Sequence, residues 1–532
     1  MKPTKLILTL LLFALFTSEL GYSQAISPYI MGQNAWMPSF RFNGKFEVLT
    51  PKLQAAGIQM IRIGGNTYNN AVGTNSGLTY AQYDILITSI KGAGAEPIVQ
   101  LSNLLTYQAA KDLVTYLNVT KNYNIKYWSI GNEPDLKNLT SAQVKTYITT
   151  IAPAIRDVSA NAIIFGPECA WMNGGIYGNM LDDLIGGSSS ITGKDSSGRY
   201  YINVVSYHSY DQYSITAIED RIKALQTILT NANTSRTDSP LTWAFTEFNT
   251  TTDNNKAGLS PDFKVWSMFA GQFTAEVYGL CMKYKALSLN GWSTQEGSGA
   301  RTGSDLGLFD GDSPSTFKGR SNYYHTMMLG KFLKSNYMTT SSSVTGVKVV
   351  STYDATGYQV LILNYNSTQY DVTVRLNNGA IVQSNPLLIK LLNGTTNQEH
   401  VSYVEAYGSR LLVFDINGNL TDDWRYSKTQ SDLKSEPIYM KSSSPELSTK
   451  SEVVSTSKLM VYPNPSKFNT PFFIDYTNTE INDLRIFDST GKLLYTKKIT
   501  ANGITKWNEN GQLKPGMYVI KIGKQSTKLL VE

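Results

Sequence analysis

Two glutamates stand where apolar runs give out. Glu133 closes the run Tyr127-Trp128-Ser129-Ile130-Gly131-Asn132-Glu133-Pro134, and Glu247 closes Leu241-Thr242-Trp243-Ala244-Phe245-Thr246-Glu247-Phe248-Asn249. Both runs are β-type. Pro134 cannot donate to a sheet ladder, so the first strand must stop at Glu133. Two carboxyls facing each other across a cleft are the minimum equipment for cleaving a glycosidic bond. One gives a proton to the leaving oxygen and the other meets the oxocarbenium-like carbon. A glutamate at a strand end is more often a solvated or helix-capping residue. The strand positions of these two, with Asn132 beside Glu133, set them apart.

For the pair to meet, the chain must bring two distant strand ends to one edge. Between residues 26 and 315, strand-like runs alternate with helical ones. The strand candidates are 29–34, 59–64, 96–101, 125–130, 162–166, 202–207, 242–246 and 286–292. Runs with helical spacing cover 80–90, 107–117, 142–158, 218–232 and 263–284. Ser141 reads as an N-cap and the Gly92–Gly94 pair as a helix stop. Eight such units in under 300 residues predict a (β/α)8 barrel, an α/β fold whose chemistry sits at the C-terminal ends of its strands. Glu133 then closes strand four and Glu247 strand seven. A doubly wound sheet is the alternative, but Gly32-Gln33-Asn34-Ala35 is not the phosphate turn that fold favours.

The chain has 532 residues, too many for one core. Net charge is +6 with no long run of one sign, which gives no nucleic-acid footprint. The two cysteines, Cys169 and Cys281, read as buried free thiols. His208, His325 and His400 are too scattered for a metal site, so neither a metal nor a cofactor is expected. Residues 1–24 read as a secretory signal, with Lys2 and Lys5 ahead of the apolar run Leu6 to Phe16 and small residues before the barrel. No later segment is apolar enough to cross a membrane. After a last barrel helix near 322–333, short alternating strands over 316–425 predict a β-sandwich. Residues 426–458, rich in Ser, Lys, Thr and Glu, read as a flexible linker.

Residues 459–532 read as a small all-β module. Its Tyr462-Pro463-Asn464-Pro465 start, its Asp488-Ser489-Thr490-Gly491-Lys492 turn and its run from Leu513 through Gly516 and Tyr518 resemble the C-terminal sorting domain of the type IX secretion pathway of Bacteroidetes. That resemblance implies export across the outer membrane, with the type IX machinery as partner, then release or attachment at the surface. By composition alone a small carbohydrate-binding or fibronectin-like module stands beside it.

The barrel motifs resemble clan A of the glycoside hydrolases, (β/α)8 enzymes that retain anomeric configuration. Ile-Gly-Asn-Glu-Pro-Asp and Arg-Ile-Gly-Gly-Asn look most like family 79, while Thr-Glu-Phe-Asn and the trailing sandwich look like families 39, 51 and 30. The resemblance implies Glu133 as general acid/base and Glu247 as nucleophile, with Asn132 bonding the sugar 2-hydroxyl. It implies that Arg62 steadies the nucleophile, that Tyr210 of His208-Ser209-Tyr210 contacts it, and that Trp292 floors the sugar subsite. A packed core role stays open for His208, and a core role for Trp36, a further candidate platform. Glu168, Glu296 and Glu96 compete as carboxylates, and Asp135 reads as a turn cap. Arg301 and Lys318 are the basic residues considered for a uronate substrate.

The expected activity is retaining hydrolysis of β-glycosidic bonds in a plant or algal polysaccharide or its fragments. The other readings are a surface glycan-binding protein that has lost catalysis, and a transglycosylase using the same residues. A retaining acid must stay protonated while the nucleophile stays ionised. An arginine and hydroxyl donors should therefore lower the pKa of Glu247, and the nearby second carboxylate should raise that of Glu133. The two carboxyls should lie about 5 to 5.5 Å apart.

Overall fold

A computed structural model of the chain describes residues 24–36, 46–66, 78–172, 179–296, 300–303, 305–311, 317–376, 380–383, 389–390, 397–398, 400–440, 459–462, 466, 468, 472–477, 482–499, 502–507, 513–523 and 525–532. The chain divides into two compact units, residues 1–441 and 442–532. Residues 1–23 of the expected signal segment lie outside the described residues.

Eight parallel strands close into a barrel: β1 (Met31–Asn34), β2 (Met60–Ile63), β3 (Glu96–Leu101), β4 (Tyr127–Ile130), β5 (Ile163–Cys169), β6 (Val204–Ser209), β7 (Thr242–Phe248) and β8 (Leu289–Gly291). One helix follows each strand in turn: α1 (Thr50–Ala55), α2 (Tyr80–Gly92), α3 (Tyr107–Thr115), α4 (Ser141–Val158), α5 (Met180–Gly186), α6 (Ile215–Asn233), α7 (Met268–Lys283) and α8 (Ser321–Gly330). All eight expected strands and the six expected helices appear. The short α1 and α5 were not among the runs singled out from sequence. α4 starts one residue earlier than expected, because Thr140, not Ser141, is its N-cap. The Thr140 hydroxyl accepts from the Gln143 amide while the Gln143 side chain returns to the Thr140 amide. Two orphan donors are satisfied at once, a device worth about 1 kcal/mol.

Alternation along the strands builds two different layers. Ile61, Ile63, Val99, Leu101, Trp128, Ile130, Ile164, Val205 and Phe245 face the helices and join the main apolar core. Met60, Ile98, Tyr127, Phe165, Val204 and Ala244 form a second buried cluster. Two residues further along those same faces stand Arg62, Gln100, Ser129 and Ser206, also fully buried. The barrel interior is therefore apolar at its N-terminal end and polar at its C-terminal end. That is where the site must lie, since a buried polar layer is tolerated only when it is bonded together.

The sandwich belongs to the same unit. Its larger sheet takes strands 24–25, 336–338, 347–354, 357–364, 408–415, 420–427 and 438–439 in that spatial order, and a four-stranded sheet packs on it. Gln272 of α7 donates to the Asn364 and Gly408 carbonyls, and His325 of α8 pairs with Ser409 at 2.8 Å. His325 is thus a structural residue between barrel and sandwich. The Asn417-Gly418-Asn419 turn forms with Gly418 at φ +83°, a value that suits glycine. The sheet runs past the boundary expected at 425. Leu420–Ser427 is one continuous strand, Ser427 caps a short helix over Lys428–Asp432 through Gln430, and Ile438–Tyr439 pairs with Arg425 and Trp424. The polar composition of 427–440 reflects capping and edge positions, not a linker. Residues 441–458 lie outside the described residues.

In the second unit, a three-stranded sheet (459–462, 472–477, 502–507) and a four-stranded one (493–499, 482–488, 516–522, 525–531) enclose Ile474, Leu484, Ile486, Trp507, Ile520 and Leu529. Asp488 organises the expected turn, its carboxylate accepting the Thr490 and Lys492 amides, with Gly491 at φ +84°.

Candidate active site

The polar end of the barrel holds three carboxylates, a guanidinium and an imidazole in one bonded cluster. Arg62 stands one residue before the end of β2 and is fully buried. One of its guanidinium nitrogens donates to Glu247 Oε1 at 2.8 Å and to Asn34 at 3.2 Å. The other donates to Asn132 Oδ1 at 2.7 Å and to Gln100 at 3.0 Å, and lies 2.9 Å from Glu168 Oε2. Tyr210 donates its hydroxyl to Glu247 Oε2 at 2.7 Å. His208 Nδ1 sits 3.1 Å from Glu133 Oε1 and 3.5 Å from Glu247 Oε2, and its Nε2 sits 3.5 Å from Glu168 Oε2.

Two β-bulges aim these groups. Between β5 and β6 the register slips at Glu168, so that Pro167 faces Ser206 and Cys169 faces Tyr207. Between β6 and β7, Thr246 is the extra residue, and His208 becomes the register partner of Glu247. A bulge turns a side chain to the face that strict alternation would deny it. These slips also lengthen β5 and β7 beyond their expected ends. Glu133, just past β4, is in the left-handed region at φ +49°, and Glu168, within β5, is there at φ +60°. Each is a strained conformation for a non-glycine residue, of the kind that clusters at functional sites.

One oxygen of Glu133, one of Glu247 and a nitrogen of His208 all fall within 4.8 Å of one another. The spacing would also admit a cation, but here Arg62, Tyr210 and His208 already supply donors to the two carboxylates. The Glu247 side chain is 5% exposed and the Glu133 side chain 13%, so Glu133 is the more open to the barrel mouth. Asn66 reaches Glu133 Oε2 at 3.4 Å and Asn132 at 3.3 Å.

The charges are distributed differently from the sequence expectation. Burial pushes the Glu133 carboxyl up, yet the hydrogen bond and charge of His208 outweigh it and hold Glu133 below the ordinary range. Burial pushes Glu247 up more strongly than His208 and Arg62 pull it down. The reversal has two sources: His208 hydrogen-bonds Glu133 directly, while Glu247 lies deeper and beside the Glu133 charge. His208 would lose its charge to burial alone, but Glu247, Glu133 and Glu168 together raise it to about 10.

Glu96 begins β3 at the opposite end of the barrel, and Lys318 is exposed on the short strand Lys318–Gly319. Trp292 lies just past β8, and its indole donates to Glu296 at 3.1 Å. The Trp36 and Trp292 rings are 6.2 Å apart at 52°. A side chain at Gly65 would strike the Trp292 ring, so a residue without one is needed there. Glu296 sits at the cleft, raised to about 8 because burial outweighs its two donors. Glu168 is not open to a substrate hydroxyl, since it is fully buried against Arg62 and His208. Asp135 caps across the barrel mouth, accepting the Ala170 and Trp171 amides. Arg301 is held bidentate by Asp310 at 2.7 to 3.0 Å, which ties up its guanidinium. Sequence reading passed over Asn34, Asn66 and Gln100. Their only available signal was a polar residue at an inward position near a strand end.

Residues 27–295, just over half of the chain, match Cellulase (glycosyl hydrolase family 5). The chain belongs to that family. This family 5 chain also carries a secretion system C-terminal sorting domain over residues 460–532, which marks it for type IX export to the cell surface or beyond. Among the described residues no helix is long and apolar enough to cross a membrane. The clan read from the Asn-Glu and Thr-Glu motifs holds, and the family within it is family 5. Among solved structures, the family 51 α-L-arabinofuranosidase AbfB from Bifidobacterium longum is similar at 12% identity, with a TM-score of 0.51, covering 74% of this chain and 97% of that one. A glucosidase from Croceicoccus marinus is similar at 13% identity and a TM-score of 0.50, over 74% and 95%. At these identities the likeness shows a shared fold. No curated protein sequence matches the chain.

Removing Arg62 tests how far the cluster depends on it. Arg62→Met takes the guanidinium from the buried Glu168 and Glu247, leaving only His208 and Tyr210 beside them, and a broken buried pair costs about 3 to 5 kcal/mol. The expected result is a much lower denaturation midpoint for the barrel unit, followed by tryptophan fluorescence in urea. An unchanged midpoint would mean that the cluster does not need its guanidinium.

Proposed function

We propose that the chain is an exported, retaining glycoside hydrolase that cleaves β-glycosidic bonds in a plant or algal polysaccharide or its oligosaccharides. Residues 1–24 serve as its secretory signal. The observation that carries the reading is the approach of one Glu133 oxygen and one Glu247 oxygen within 4.8 Å at the C-terminal ends of β4 and β7. Inverting enzymes need room for a water between sugar and base, with carboxyls about 6.5 to 9.5 Å apart. The shorter spacing supports direct attack by one carboxylate.

Glu247 is the nucleophile. Arg62 and Tyr210 each donate to one of its oxygens, which orients the carboxylate for attack on the anomeric carbon and stabilises it as it leaves in the second step. Glu133 is the general acid/base, more open to the mouth where the leaving group departs. Asn132, held by Arg62, meets the sugar 2-hydroxyl, and that contact strengthens as charge develops. Trp292, with Trp36 beside it, forms an apolar floor for the ring.

Tyr210→Phe keeps the ring and removes one charge-assisted donor, worth about 1.5 to 3 kcal/mol. A loss in kcat/KM of about 10- to 100-fold is expected, with the fold intact by circular dichroism. Full activity would remove Tyr210 from the mechanism. The function itself is tested by sugar release from a panel of plant and algal polysaccharides and aryl β-glycosides. Hydrolysis of at least one is expected. Glycan binding without turnover across the panel would instead favour the binding-protein reading.

A further inference from the structure

Glu168 has no part in the two-carboxylate scheme, yet the cluster is built around it. Its backbone carbonyl accepts the Glu133 amide at 2.8 Å, and its side chain reaches both Arg62 and His208. The bulge and the left-handed backbone at Glu168 place it there at a cost in strain. The two nitrogens of His208 face carboxylate oxygens on opposite edges of the ring, Glu133 and Glu247 on one and Glu168 on the other. An ionised carboxylate only accepts hydrogen bonds, so both nitrogens must carry protons to satisfy that arrangement.

We propose that Glu168 is a positioning residue that holds His208 as an imidazolium, so that the proton for the leaving oxygen waits on His208 Nδ1. The inference rests on the reading of Glu133 as general acid/base. In the first half-reaction the Nδ1 proton passes to Glu133 Oε1, and Glu133 delivers it to the glycosidic oxygen. The bond from that oxygen to the anomeric carbon breaks as a Glu247 oxygen bonds to the carbon. In the second half, Glu133 takes a proton from water, the water oxygen bonds to the carbon, and the bond to Glu247 breaks. The proton on Glu133 then returns to His208. Arg62 and Lys137 also oppose the three carboxylates, and the Glu168 charge at Nε2 draws the proton back to His208 once Glu133 has taken it from water. The charged and titratable groups around His208 are Arg62 from β2, Glu133 and Asp135 after β4, Glu168 from β5, Tyr210 after β6 and Glu247 from β7.

The test is nitrogen-15 NMR of the full chain labelled at histidine. With three histidines, assignment by substitution is direct. Burial lowers His325 to about 4 and also lowers His400, so at pH 8 the wild type should show one imidazolium, that of His208, lost near pH 10. In Glu168→Gln, its deprotonation midpoint should fall by about 1 to 3 pH units, the size expected for losing one close opposite charge. The basic limb of kcat/KM should fall with it. Glu168→Asp, which keeps the charge, should keep the imidazolium at pH 8. A merely structural Glu168 would change activity without moving the midpoint. A neutral His208 in the wild type at pH 8, or an unmoved midpoint in Glu168→Gln, would overturn the proposal. A shifted midpoint with an unmoved kinetic limb would overturn the proton-supply role. The histidine readout needs no substrate, so it stands or falls separately from the assignment of Glu133.

Discussion

Glu247→Ala is expected to abolish hydrolysis, lowering kcat by about 10⁴-fold or more. The loss has two sources. The covalent route disappears, and with it the split of one difficult displacement into two easier ones. Arg62 and Tyr210 also lose the acceptor they are aimed at. The truncation opens a small cavity beneath the anomeric carbon, and an external anion such as formate or azide should enter it. A rescued reaction would place that anion on the face where Glu247 stood, giving a product of inverted configuration. Measuring kcat with an aryl β-glycoside, with and without the anion, checks this. Activity equal to the wild type would remove Glu247 as nucleophile.

Glu133→Gln should have an effect that depends on the leaving group. A glycoside whose leaving oxygen is basic needs a proton as the bond breaks, and general acid catalysis contributes about 10²- to 10⁴-fold. A dinitrophenolate leaves without that help. The variant should therefore lose about 10²- to 10⁴-fold in kcat/KM on the natural glycan and far less on the dinitrophenyl glycoside. With the activated substrate the second half-reaction should become limiting, because Glu133 is also the base that activates water. Steady-state assays on the two substrates separate these outcomes. An equal loss on both would argue that Glu133 positions substrate without transferring a proton.

Much of the fold and part of the site are legible in the sequence. The barrel could be read because each strand is a short apolar run and the longer helices show a 3.6-residue period. Glu133 and Glu247 could be placed because each closes an apolar run, Glu133 just past β4 and Glu247 within the end of β7. Three things could not be read. The bulges at Glu168 and Thr246 leave no mark in a pattern of alternating residues, so the inward turn of Glu168 was invisible and it looked like a competitor for substrate. The pKa order of Glu133 and Glu247 depends on which carboxylate faces His208, a matter of ångströms between side chains from different strands. The end of the sandwich was hidden because polar edge and capping residues over 427–440 have the composition of a linker.

The proposed mechanism requires attack by Glu247 at the face opposite the departing oxygen, followed by water arriving on the original face. Its most direct test is proton NMR of the anomeric signal during hydrolysis of a β-glycoside by the full chain, read before mutarotation sets in. The β anomer should appear first and the α anomer only later, as the free sugar equilibrates. First appearance of the α anomer would show inversion, and Glu133 and Glu247 could not then have the roles given to them here.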